Sequence, residues 1–208
     1  MIIKVSIILL LRQIPLNESI LNTKPKLLPG DLAIWFFIFM ELLVFAVAFI
    51  SYSIMRLKNI EIFNQYQQTL NTELGAINTI LLITASYFVV RAVQAIRLDN
   101  RKGCANWLYA ALAGGAGFLI LKLFEYQDKF SHGIDLSTNT FYFFYLSLTM
   151  FHFLHVILGM IILLFIAIKT QRGGYTSSNY IGIESGAVYW HMVDLVWIVL
   201  FPLVYIIR

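Results

Sequence analysis

The sequence predicts an all-α membrane protein, a polytopic bundle of five transmembrane helices with little mass outside the bilayer. Two observations carry that expectation. Of the 208 residues, 60% are hydrophobic and 12% charged, an apolar share above that of soluble domains. The apolar residues also fall in five continuous runs, each long enough for a helix that spans the bilayer with roughly 20 residues. Membrane β-strands would alternate apolar and polar positions instead. The basic residues behind the net charge of +4 cluster at the ends of these runs, where Lys and Arg set topology, so a nucleic-acid footprint is excluded. The single cysteine, Cys104, permits neither an intrachain disulfide nor a cysteine-rich metal site.

Residues 1–28 open with MIIKVSIILLLR and continue as a polar segment. They are expected to form an N-terminal cytoplasmic or interfacial tail, with a cleaved signal peptide as the alternative. Residues 29–208 are expected to be one five-helix domain. Its first span, 32–54, follows Pro29, Gly30 and Asp31, a turn and an N-cap. A polar connection leads to the second span, 75–96, where Arg91 lies within snorkelling reach of the end. A short basic loop precedes the third span, 104–123, whose Gly114, Gly115 and Gly117 let neighbouring helices approach closely. The charged cluster Lys122, Glu125, Asp128 and Lys129 is expected to end it. The stretch 136–168 contains no Asp, Glu, Lys or Arg and suits a long, tilted fourth helix. A glycine-rich loop then leads to the last span, 185–207.

Five spans leave ten Lys and Arg on the side of the N-terminal tail, against Arg56, Lys58, Lys122, Lys129 and Arg208 on the other. The positive-inside rule therefore predicts a cytoplasmic N-terminus and an external C-terminus. No internal repeat is evident, which disfavours an inverted-repeat transporter.

Polar residues inside the spans are the candidates for function. Glu41 lies about ten residues into the first helix, on the order of 15 Å below its start. An unpaired charge is costly near the bilayer centre, so its carboxyl is expected to be neutral or hydrogen-bonded within the bundle. Proton handling and a structural bond to a neighbouring helix weigh equally. His152 and His155, three apart, share one face of the fourth helix, with Gly159 one turn on. That spacing can hold a metal, but a catalytic site needs three or more ligands and His191 is the one other embedded imidazole. Interhelical hydrogen bonding is expected, with no metal. In the last helix Glu184, His191 and Asp194, at intervals of seven and three, share a face, beside a stripe of Trp190 and Trp197. A carboxylate three residues from a histidine can fix its tautomer. These three, with Asn78, Glu125, His152 and His155, are expected to form a buried polar network of the kind that holds membrane bundles together. No residue is expected to be catalytic.

The last helix, YWHMVDLVWIVLFPLVYIIR at 189–208, resembles the terminal signature of subunit III of haem-copper oxidases, a Trp-His-x-Val-Asp string before an aromatic run. Other pieces arrive in the family's order. FIFMELLVFAVAF, 37–49, is similar to the helix bearing its carbodiimide-reactive glutamate, which falls on Glu41. NTILLITAS, 78–86, resembles an Asn-Thr start, and LFEY, 123–126, a Glu-Tyr helix ending. FHFLHVILG, 151–159, resembles the His-x-x-His-Val helix, and Gly182 with Glu184 the Gly-x-Glu entry to the final span. The resemblance covers 29–208. Longer members have two further helices before this region; the chain is similar to the five-helix branch seen in quinol oxidases and in the accessory membrane protein of nitric oxide reductase.

The resemblance implies a non-catalytic subunit III of a bacterial haem-copper terminal oxidase, multi-pass in the cell inner (plasma) membrane. Such a subunit carries no haem or copper, docks on catalytic subunit I with subunit II, binds phospholipid, and supports proton uptake and lasting turnover. Glu41 is then the proton-related carboxylate. The alternative within the family is an accessory or assembly protein of nitric oxide reductase. No motif marks the electron donor, cytochrome c or quinol. The rivals from other classes are an autonomous proton-coupled transporter using Glu41 and a histidine-metal membrane enzyme.

Overall fold

The computed structural model describes residues 28–207; the tail expected over 1–28 lies, but for Leu28, outside them. They form six α-helices in chain order: α1 (Leu32–Lys58), α2 (Ile60–Gln67), α3 (Thr72–Arg97), α4 (Arg101–Ser131), α5 (Thr140–Gln171) and α6 (Ile181–Phe201), the last continuing as a π-helical turn (Pro202–Ile206). All but α2 are long and apolar enough to cross a membrane.

Local sequence explains where the helices begin. Asn71, Asn100 and Asn139 start α3, α4 and α5, their side-chain oxygens accepting the backbone N–H of Leu74, Gly103 and Tyr142 at 3.0, 2.8 and 2.9 Å. Asp31 holds the expected N-cap position of α1 but makes no capping bond. Its N–H instead donates to Ser185 Oγ at 3.0 Å, tying the start of α1 to α6. Gly133 and Gly173, with φ of +72° and +79°, follow the C-caps of α4 and α5, the left-handed position that only glycine occupies freely.

Two departures from the sequence reading concern polar segments. The connection after the first span contains α2, whose Phe63 and Gln67 are buried. The third span does not stop at 123, for α4 runs to Ser131. Lys122 and Glu125 satisfy each other inside the bundle, so they do not mark the membrane edge.

Helices α3, α4, α5 and α6 form a closed ring in which each packs on two others, while α1 lies outside against α6 and α5. The α1 helix buries a single seam of Ile38, Phe45, Tyr52 and Arg56, a spacing of seven, seven and four that keeps one face turned inward. Trp190 and Trp197 are core residues, 1% and 0% exposed, not members of an interfacial belt. The Trp190 ring fills a notch between α4 and α5: a methyl group on Gly115 would lie 2.9 Å from its Cη2, and one on Gly159 3.0 Å from its Cε3. At the far end, the Ile207 carbonyl accepts from Gln67 Nε2 at 2.9 Å and from the Arg56 guanidinium, which fastens the π-helical turn to α1 and α2.

Candidate functional site

Glu41 lies on α1 between the seam residues Ile38 and Phe45, so its carboxyl points at α5. There Oε2 meets His155 Nε2 at 2.9 Å. His155 Nδ1 lies 2.8 Å from the carbonyl oxygen of Phe151, an acceptor only, so Nδ1 carries the hydrogen. Nε2 then either accepts from a protonated Glu41 or donates to its carboxylate. In both arrangements a single proton is shared between the two side chains, and moving it along the bond exchanges a neutral pair for an ion pair. Phe45 and Phe151 close the site edge-on, their centroids 5.1 and 4.6 Å from the imidazole. The side chains of His155 and Glu41 retain 10% and 21% exposure, so the bond lies at the α1–α5 seam without being sealed. This geometry ties α1 to the ring.

His152, one turn away, departs from its expected role. Its ring is fully buried, stacked 5.2 Å from Trp197 and edge-on to Phe118 at 5.7 Å. Neither nitrogen has a partner among the described residues, and the rings of Trp197, Phe118 and Phe45 lie around the imidazole. His152→Phe keeps the aromatic volume and removes two unpaired polar atoms. The apparent melting temperature of the detergent-purified chain is expected to hold or rise; a fall would show that the imidazole has a hydrogen-bonding partner after all.

The polar residues of α6 do not form one network. Glu184 pairs with Arg97 Nη2 at 2.8 Å and accepts the Gly30 N–H at 3.3 Å, at the helix entry. His191 Nδ1 meets Ser86 Oγ of α3 at 3.3 Å and makes no bond to Asp194. Asp194 Oδ1 has no partner among the described residues, nor does the fully buried amide of Asn78. Seven residues of helix separate Glu184 from His191 by about 10 Å, so sharing a face does not bring them into contact. Glu184 and His191 therefore tie α6 to α3 separately, through Arg97 at the helix entry and through Ser86 deeper in the bundle.

Glu125 does belong to a network, and its partners include residues absent from the sequence reading. Tyr145 and Tyr205 donate their hydroxyls to Oε1 at 2.6 and 2.7 Å, and Lys122 Nζ donates to Oε2 at 3.1 Å. Lys122 also donates to the Tyr205 hydroxyl at 2.7 Å. Four rings surround the ammonium, those of Tyr126, Tyr145, Trp197 and Tyr205, with centroids 5.1 to 5.5 Å away, an arrangement that favours a desolvated cation. Lys122 is 0% exposed, which removes it from the topology determinants. The i,i+3 spacing of Lys122 and Glu125 was the available signal, once α4 was allowed to continue past them.

Among the described residues, no three His, Cys, Asp or Glu side chains converge as ligands for a metal ion. The Glu41–His155 pair and the Lys122–Glu125–Tyr145–Tyr205 cluster are two polar centres among the described residues of the long apolar helices.

A match to the family described as Cytochrome c oxidase subunit III runs over residues 29–208. Among curated relatives, the chain is similar to "Cytochrome c oxidase subunit 3" of Thermostichus vulcanus, 36% identical over 132 residues, which are 63% of this chain and 64% of that protein. It is 37% identical over 135 residues to the protein of the same name in Synechocystis sp., covering 64% and 57% of the two. "Probable cytochrome c oxidase subunit 3" of Nocardia farcinica is 29% identical over 185 residues, 89% of this chain and 90% of the relative. The matched stretches thus span less than two thirds of the first two relatives.

Proposed function

Because this chain belongs to the cytochrome c oxidase subunit III family, we propose that it is a non-catalytic subunit III of a bacterial haem-copper terminal oxidase. The observation that carries the reading is the family match across 29–208, joined by relatives named for the oxidase rather than for nitric oxide reductase. In this reading haem and copper reside in catalytic subunit I and in subunit II, and this chain supports proton uptake and the lasting activity of the complex from the inner membrane. Residues 29–208 act as one domain.

The N-terminal ends of α1, α4 and α6 face the cytoplasm. Arg97, Arg101, Lys102, Lys169 and Arg172 lie at that end, against Arg56, Lys58 and Lys129 at the other, in keeping with the positive-inside rule. Phospholipid is the ligand of the chain itself. A recess of about 440 Å³ beside the end of α5, lined by Phe165, Ile168, Lys169, Arg172 and Tyr175, joins two cations to apolar walls, the chemistry a headgroup and acyl chain require.

Glu41 acts through its shared proton with His155. In the assembled complex, Glu41→Gln is expected to leave haem content normal and to slow proton uptake, since the amide keeps a hydrogen bond to the imidazole but cannot release its hydrogens. Uptake and turnover unchanged at all pH values would leave Glu41 as an interhelical bond only.

A further inference from the structure

Arg91 lies on the outer wall of the bundle, six residues before the end of α3 at Arg97, hence about 9 Å inside the span. The sequence suggested that it snorkels toward that end. Side chains on a helix lean toward its N-terminus, and the N-terminus of α3 is at the opposite face, so Arg91 leans into the membrane. Its Nη1 donates to the hydroxyl of Tyr87, one turn deeper, at 3.1 Å, and its guanidinium carbon lies 5.3 Å from the centre of the Trp107 ring on α4. No carboxylate pairs with it among the described residues. Tyr87 is 52% exposed, and Ile80 and Ile83 continue the same wall toward the bilayer centre at 64% and 48%.

A cation held in this way in hydrocarbon lacks an anion. Arg, Tyr and Trp are also the side chains that dominate the energetics of protein interfaces. Tyr87, accepting from Arg91, keeps its own O–H free to donate to the same anion. The wall is therefore complementary to an apolar helix that carries one carboxylate at the depth of Arg91.

We propose that Arg91, Tyr87 and Trp107 dock a transmembrane helix of the partner subunit through a carboxylate that pairs with Arg91. This inference rests on the subunit reading above. The test uses affinity-tagged chain purified from native membranes, with the haem-to-chain ratio measured through increasing detergent washes. Arg91→Leu, at an exposed position, is expected to keep the chain monodisperse and to lower the retained haem about tenfold, as truncating one member of a desolvated charge pair does. Arg91→Lys is expected to retain more. After treatment with a membrane-permeant carbodiimide, its amine should form an amide with the partner carboxylate, seen by mass spectrometry as a cross-linked peptide.

Full haem retention by Arg91→Leu overturns the proposal. Retention of haem with loss of bound phospholipid also overturns it, assigning Arg91 to a headgroup. If the unmodified chain carries no haem partner, the subunit reading itself fails and the docking inference falls with it.

Discussion

Replacing Lys122 by Met is expected to lower the stability of the chain by about 3–5 kcal/mol, because it leaves a buried carboxylate without its counter-ion. Glu125 is 5% exposed and accepts from Tyr145, Tyr205 and Lys122. Without the ammonium, the two hydroxyls alone must stabilise the charge, or the carboxyl must take up a proton on Oε2, which leaves Oε1 a weaker, uncharged acceptor for them. Either outcome loosens the join between α4, α5 and the π-helical turn that carries Tyr205. Glu125→Leu is expected to be as damaging, since Lys122 then keeps its four aromatic rings and the Tyr205 hydroxyl but no anion. The double variant Lys122→Met with Glu125→Leu removes both charges and should be less damaging than either single change, because apolar replacements for a whole buried pair are often tolerated. Unfolding of the purified chain in mixed micelles with increasing SDS measures all three. A Lys122→Met chain within about 1 kcal/mol of the parent, the range of an exposed ion pair, would show that the pair is not sealed from water.

Gly159→Val is the second large effect expected, a loss of about 3 kcal/mol from overpacking. A first methyl at this position would already stand 3.0 and 3.3 Å from Trp190 and 3.3 Å from Tyr189. The same six-membered ring also lies against Gly115, where an added methyl would be 2.9 Å from its Cη2, which limits how far the indole can shift. Gly117 supplies the contrast, since a methyl there meets only Leu81 side-chain carbons at 3.4 and 3.7 Å. Gly117→Ala should therefore change the melting temperature little. Trp190→Phe placed together with Gly159→Ala should recover part of what the alanine alone costs. If Gly159→Val melts like the parent, the α4–α5–α6 notch is not tightly packed.

These two effects show what the sequence could and could not reveal. The five spans were legible because continuous apolar runs have one structural solution in a membrane. The close approach at Gly114 and Gly115 followed from residue size. The position of Glu41 along α1 was also readable by counting, but its pairing with His155 joins residues 114 apart in the chain, which no spacing rule supplies. The Lys122 cluster was misread for a different reason. Charges near the end of an apolar run normally mark the interface, and only the tertiary contacts with Tyr145 and Tyr205 reveal that Lys122 and Glu125 are interior. His152 and Asn78 failed as predicted network members because helix-face arguments give direction, not partners. At His152 the direction led to Trp197 and Phe118. Arg91 was read as snorkelling toward the near end of its helix, but the lean of helical side chains turns it toward Tyr87, one turn back along α3.

The most direct measurement of the central claim is the reduced-minus-oxidised absorption spectrum of the tagged chain, purified from native membranes in mild detergent and passed through size exclusion. A subunit III is expected to elute with a larger partner, its haem bands at a constant ratio to the chain across the peak. A chain that elutes alone, free of haem, would contradict the assignment.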